Sequence, residues 1–121
     1  MRIFHTAIQI NLVRAALPYI ADQGSFTLVS GVLTDEFTPA CTIGTTINHM
    51  VEGFVRASAT ELPRSVRINC ISPTVLSESV AYYDYFPGFT PVPPSEVALA
   101  YLRAISNPIT GRILKLYKTD S

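Results

Sequence analysis

A three-layer α/β sandwich, built on a partial parallel sheet of about three strands, is the fold class this chain predicts. Three observations lead there. Segments with apolar residues at helical spacing alternate with short β-rich runs. Turn-forming residues fall between them. The resulting order is helix, strand, helix, strand, loop, helix, strand. Strands separated by helices pair in parallel, as a rule through right-handed crossovers, and helices then cover both faces of the sheet. At 121 residues the chain, 1–121, is one domain or part of one.

The first helix is expected over residues 5–22. Ile10, Val13, Leu17 and Ile20 share one face. Pro18 removes an amide donor and should loosen the last turn, and Gly24 is placed where a left-handed stop is needed. Ser25 to Ser30 is short and β-rich, apolar at Phe26, Leu28 and Val29, as a buried strand would be. Gly31 to Thr42 reads as the loop at its carboxyl end. A second helix is expected over 44–62, with Ile47, Val51, Phe54, Val55 and Leu62 as its apolar stripe, Ser58 as a small residue on that stripe and Pro63 as its stop.

Val66 to Ser72 predicts a second strand, closed by Pro73. Ser77 to Pro94 is the least regular segment, with Tyr82, Tyr83, Tyr85, Phe86, Phe89 and the prolines Pro87, Pro91, Pro93 and Pro94. A third helix follows over 95–105, with Val97, Ala98, Tyr101, Leu102 and Ile105 apolar and Pro94 near its first position, where a missing amide costs nothing. Thr110-Gly111 turns the chain into a third strand over 112–117.

Composition excludes several functions. Hydrophobic residues reach 48% and charged residues only 15%, so there is more apolar surface than one small domain can hide. Formal net charge is zero and the basic residues are scattered, which gives no nucleic-acid footprint. No apolar run is long enough to span a bilayer, and Gln9, Asn11 and Arg14 interrupt the early apolar residues that a signal peptide would need. Cys41 and Cys70 are too few for a disulfide scaffold or a zinc site, so no metal is expected. Cys70 reads as a small buried hydrophobe in a reducing compartment, and the cytoplasm is the expected location.

The series from Met50-Val51-Glu52-Gly53-Phe54-Val55-Arg56-Ala57 through Thr60-Glu61-Leu62-Pro63-Arg64 to Val66-Arg67-Ile68-Asn69-Cys70-Ile71-Ser72-Pro73 resembles the fifth helix and sixth strand of the short-chain dehydrogenase/reductase family. From about Gln9 to Tyr117 the chain is similar to the C-terminal half of that Rossmann-like fold. The resemblance implies an NAD- or NADP-dependent oxidoreductase acting on a small-molecule carbonyl or alcohol. It also implies where the catalytic groups should stand, and there the chain departs from the family. The Tyr and Lys of the family's Tyr-x-x-x-Lys pair are replaced by Gly44 and Asn48, and the family's Ser falls on Gly31, beside Ser30. Gly44 has no group to transfer a proton, and Asn48 has no charge to stabilise a phenolate.

Ser30 and Asn48 are therefore the candidate catalytic residues. Ser30 lines the site if the strand register slips at its end; otherwise its hydroxyl bonds the backbone of its own loop. The family's catalytic Asn would fall near Ile3 or Phe4, and Asn11, two turns on, reads as a helix-surface group. Ser72, Pro73, Thr74 and Val75 resemble the family's Pro-Gly segment beside the nicotinamide, with Thr74 in place of Gly; they are the candidate cofactor-binding residues, or a plain strand-to-loop turn. Among the glycines at 24, 31, 44, 53, 88 and 111 no G-x-G-x-x-G spacing exists to cradle a pyrophosphate. His5 reads as exposed. His49 titrates in a range suited to proton transfer but has no partner at triad or metal spacing.

The aromatic segment Tyr82 to Phe89 is either a lid over an apolar ligand or a cluster packed on the sheet edge. The first strand, internal in the family, would here be an edge that invites association. A homo-oligomer through the helices at 5–22 and 44–62 is expected on the same resemblance. A non-catalytic oligomeric interaction protein, or a truncated remnant of an oxidoreductase, is the alternative reading of the chain.

Overall fold

A computed structural model describes residues 2–117, with side chains from Ile8 onward. Three helices and three strands follow in the expected order: α1 (Arg2–Ala16), β1 (Ser25–Val29), α2 (Thr42–Ser58), β2 (Arg67–Pro73), α3 (Pro94–Ser106) and β3 (Ile113–Leu116). Short 3-10 helices, one turn over Val32–Thr34 and two over Val80–Tyr85, interrupt the two long loops. The expected position of His5 lies outside the described side chains.

The sheet is parallel in the order β1-β2-β3. Ser25 pairs with Arg67 and Val29 with Ile71 across β1 and β2, and Cys70 with Ile113 across β2 and β3. Successive strand residues point to opposite faces, so β2 feeds two cores. Ile68 and Cys70 pack with Val13 of α1 and with Val51 and Val55 of α2. Ile71 packs on the other face with Ala100 and Ala104 of α3 and Leu114 of β3. Three layers result.

This arrangement corrects the expectation that both crossovers are right-handed. The strands advance in one direction across the sheet, yet α2 covers one face and α3 the other, so the two connections have opposite hands. The physical reason is length. The second connection makes an excursion from Ser77 to Pro91, closed at its neck by a bridge between Leu76 and Val92. The amides of Ser77 and Val92 donate to the carbonyls of Val92 and Val75, each at 2.9 Å. With this excursion in between, β2 does not feed α3 directly, so the strand twist that sets the hand of a direct crossover does not dictate it here.

Three local expectations are also corrected. Helix α1 stops at Ala16, six residues ahead of the expected end, because Pro18 has no amide to continue the regular ladder. The left-handed residue after it is Gln23 at φ 64°, not Gly24. Gly24 is needed for space: a Cβ there would stand 2.7 Å from Ile20 Cγ1 and 2.9 Å from the Ala21 carbonyl. In α3 the buried face is formed by Ala100 and Ala104, flanked by Val97 and Tyr101, while Leu102 and Ile105 face outward with Leu99. Small residues let the helix lie close on the sheet, a signal that a search for large apolar residues passes over.

Two arginines tie β2 and its approach to the helices. Arg67 donates to the carbonyls of Ala104 at 2.7 Å and Ile105 at 2.8 Å, meeting the orphan acceptors and the negative end of α3. Arg64 does the same after α1, donating to the Ile20 carbonyl at 2.6 Å. Asn69 holds the turn into β3, donating to the Ile109 carbonyl at 2.9 Å and accepting from the Arg112 amide at 3.1 Å.

Candidate functional site

The carboxyl ends of the three strands and the loops that leave them form one polar surface. Its floor is a buried carboxyl group. Glu52 projects from α2 between the apolar Val51 and Val55 and is 0% exposed. Its Oε2 accepts hydrogen bonds from Ser30, just beyond β1, and from Thr34, in the following 3-10 turn, both at 2.7 Å. Its Oε1 has no hydrogen-bond partner, and Arg56, one turn on, stands 3.7 Å away. The Cys70 thiol donates to Ser30 Oγ at 3.3 Å. Burial pushes that thiol up to about 11, the neighbouring Glu52 adding to the effect and the Ser30 contact opposing it. Ser30 is thus bonded across to a helix rather than to its own loop.

Gly31 and Asn48 come together beside this floor. A Cβ on Gly31 would lie 3.2 Å from Asn48 Nδ2. Gly31 is extended at φ −178°, a conformation open to any residue, so the missing side chain leaves room for the Asn48 carboxamide. His49, the next residue, is exposed and donates from Nδ1 to the Thr45 carbonyl at 2.9 Å, one turn back on its own helix.

A second network lies on the same face, toward β3. Tyr117 donates to Asp35 Oδ2 at 2.9 Å, and the Lys115 ammonium meets the same oxygen at 2.5 Å. With the phenolic hydrogen committed to Asp35, Ser72 donates to Tyr117 at 3.2 Å. Burial raises the Tyr117 pKa far above the phenolic range, and the Asp35 charge adds to this, so the phenol stays neutral. Desolvation acts to raise the Asp35 carboxyl, but the hydrogen bonds and charge of Lys115, with the bond from Tyr117 and the charge of Arg56, outweigh it and lower the pKa below the ordinary value. Sequence spacing gave no hint of this meeting. Lys115, in β3, and Tyr117, just beyond it, stand two residues apart and both reach Asp35, which comes from a loop far away in the chain.

The candidate cofactor segment runs along the end of β2. Ser72 is fully buried and Pro73 pairs with Leu116. Thr74 does not adopt positive φ, so the backbone follows an ordinary path without the glycine. Its hydroxyl is buried with no hydrogen-bond partner. Val75 is buried and its carbonyl accepts the neck bond from Val92.

Thr74 borders a cleft of about 620 Å³ between the loop after β1, the excursion and the end of β3. Phe89, Val92 and Tyr117 line it. Phe89 meets Phe86 edge to face at 5.6 Å, while Tyr82 and Tyr85 are exposed. The aromatic segment therefore divides: the phenylalanines pack, one of them into the cleft wall, and two of the tyrosines face solvent.

The family profile described as enoyl-(acyl carrier protein) reductase matches residues 4–93. The chain belongs to the short-chain dehydrogenase/reductase family. Solved structures of members superpose on it well. The protein lin1944 from Listeria innocua is 36% identical, with a TM-score of 0.88 over 90% of this chain and 55% of its own. A small-chain dehydrogenase is 26% identical, TM-score 0.79, over 90% of this chain and 54% of its own. A small-chain dehydrogenase solved in complex with NADPH is 24% identical, TM-score 0.78, over 90% and 56%. No curated protein matches. The chain thus spans about half the length of the family structures it matches. Within the short-chain dehydrogenase/reductase frame, its Glu52, Asp35, Lys115 and Tyr117 were not among the residues expected from sequence. Glu52 left one trace there, an acidic residue on the stripe between Val51 and Val55.

Proposed function

We propose that this chain forms the substrate-side half of an NAD- or NADP-dependent oxidoreductase acting on a small carbonyl or alcohol. The observation that carries the reading is Thr74. A buried hydroxyl without a partner is costly, and this one stands in the segment after β2 and borders the cleft. A nicotinamide beside Ser72, Pro73, Thr74 and Val75 would satisfy it, and the residues present fit that end of the cofactor. The pyrophosphate end has no counterpart among the chain's six glycines. When bound, a nicotinamide dinucleotide supplies or accepts hydride; the chain's own residues bind and orient.

Asn48, filling the space left by Gly31, presents a carboxamide that can hold a substrate oxygen but cannot relay a proton. Ser30 keeps its hydrogen on Glu52, so its role in this reading is to hold the site floor. Tyr117, a neutral phenol at the cleft wall, is a hydrogen-bond group on the substrate side.

The test is a titration of the protein with NADPH and with NADH, followed by nicotinamide fluorescence and thermal shift. A ligand that binds only the native state raises the melting temperature by mass action. The reading expects a shift at millimolar cofactor that Thr74→Val weakens. No response to either dinucleotide would defeat it.

A second reading, an oligomeric interaction protein, is favoured by one observation. Ile8 and Leu12 of α1 and Ile43 and Met50 of α2 are exposed apolar residues on the two helices expected to pair. Light scattering decides it: a dimer mass supports pairing through α1 and α2, and a monomeric mass with a cooperative melt counts against it. The expected cytoplasmic location belongs to this proposal too; among the described residues no helix is long and apolar enough to cross a membrane.

A further inference from the structure

We propose that the cleft at the carboxyl end of the sheet takes a small organic cation, an apolar body carrying a protonated amine. The proposal deepens the substrate-side reading and rests on it for the ligand's place in the reaction, though not for binding itself.

Among the described residues, the walls of the cleft carry acidic side chains and no Lys or Arg. Glu36, from the loop after β1, and Glu96, in the first turn of α3, both line it. Among the described residues neither makes an ion pair. Two of the three chain segments that build the cleft, all but the end of β3, carry the same bias. From Ala15 to Val55, and again from Ile68 to Leu102, there is no Lys or Arg, whereas Asp35, Glu36, Glu78, Asp84 and Glu96 fall within them. Among the described residues, Lys115 is committed to Asp35 at 2.5 Å, and Arg103 and Arg112 border a neighbouring hollow on the far side of Glu96 rather than the cleft. A concave site walled by one sign of charge concentrates ligands of the other sign and repels its own.

The rest of the lining suits an apolar body. Phe89, Val92 and Leu116 stand with Pro87 and Pro91 around the space. A cleft of about 620 Å³ lies within the range of small-molecule sites. The independent sign of a ligand is Thr74, only 7% exposed, whose hydroxyl lacks a partner at this wall. The Tyr117 hydroxyl offers a second neutral polar contact. Acidic side chains at the rim and hydroxyls deeper in select an amine that also bears an oxygen or other polar atom, and they disfavour carboxylates and phosphates.

The test uses three probes of similar shape: 2-phenylethylamine, 2-phenylethanol and 3-phenylpropanoate. Each is titrated into the isotope-labelled protein at low salt, and amide shifts are followed. The expected result is saturable shifts at residues around the cleft, with the amine binding about tenfold more tightly than the alcohol and the carboxylate weakest. The double variant Glu36→Gln, Glu96→Gln should bring the amine to the level of the alcohol and leave the alcohol unchanged. Both positions are solvent-accessible, so the variant keeps its fold, and unaltered dispersion of the spectrum checks this. Added salt should erode the amine preference alone. Carboxylate binding as tightly as amine, an amine preference that survives the double variant, or no cleft response to any probe at millimolar concentration would each overturn the proposal. Because no nicotinamide is present, its failure is distinct from that of the cofactor reading: amine binding without NADPH binding would keep this inference and defeat the other.

Discussion

Removing the Glu52 carboxyl is the substitution with the largest expected effect on stability. In Glu52→Ala the hydroxyls of Ser30 and Thr34 lose the common acceptor that each reaches at 2.7 Å. Each buried donor left unpaired costs about 1–3 kcal/mol. The Arg56 contact adds little, because that side chain is 56% exposed and its charge is screened. The vacated space beside Val51 and Val55 adds a cavity cost, so the sum is about 3–5 kcal/mol. For a chain of this length that corresponds to a fall in melting temperature of roughly 10–20 °C. Glu52→Gln keeps an acceptor oxygen for both hydroxyls and should cost about 1–2 kcal/mol, since its new amide donor faces the side where Oε1 already lacks a partner. The assay is urea unfolding followed by circular dichroism, run on Glu52→Ala, Ser30→Ala and the double variant. The network requires a coupling of at least about 1 kcal/mol between the two positions. Additive effects, or a Glu52→Ala cost below about 1 kcal/mol, would refute the reasoning that the carboxyl group holds the loop after β1 to α2.

Three further outcomes follow from the packing and the edges. Gly24→Ala forces a methyl to within 3 Å of the Ala21 carbonyl, which is backbone and cannot step aside; the expected loss is about 1–3 kcal/mol, measured by urea midpoint. Burial holds the folded Cys70 thiol up at about 11 against an ordinary value of 9.0, so it favours the folded state below pH 9, and that stability is lost as pH rises toward 11. Cys70→Ala should flatten the decline of melting temperature between pH 9 and 10, before unfolded tyrosines add theirs, and an unchanged decline would contradict the assignment. Gln9 donates to the Val29 carbonyl at 3.2 Å and accepts the Val29 amide at 3.0 Å, meeting both backbone groups on the open side of β1. Gln9→Ala bares that edge and should increase self-association in sedimentation velocity; an unchanged distribution would show that the carboxamide does not guard it.

Where apolar residues recur at a clear period, the elements were legible. The stripe of α2 and the cores on either side of β2 follow directly from Val51, Val55, Ile68 and Ile71. The end of α1 differs because the apolar pattern continues through Leu17 and Ile20, while beyond Ala16 the amides of Tyr19 and Ile20 close turns onto the Ala16 carbonyl and Pro18 has no amide to extend the regular ladder. The buried face of α3 was misplaced because Ala100 and Ala104 are too small to weigh in an apolar stripe, though small size is what close approach to the sheet requires. The hand of the second crossover was hidden in an irregular loop. Family resemblance singles out Ser30, Asn48 and Thr74 as candidates, and the structure sets each near the carboxyl end of the sheet. The Asp35–Tyr117–Lys115 cluster was invisible, since it joins residues about eighty positions apart, as the Tyr117 to Asp35 bond shows. Its partners are chosen by the sheet register and not by any local spacing.

The claim on which the functional account depends is that the end of β2 meets a nicotinamide. Mapping backbone amide shifts of the labelled protein during titration with NADPH tests it most directly. The account predicts that the largest changes fall on Ser72, Thr74 and Val75 and saturate together. Saturable changes centred elsewhere, or a spectrum that stays still at millimolar NADPH, would contradict it.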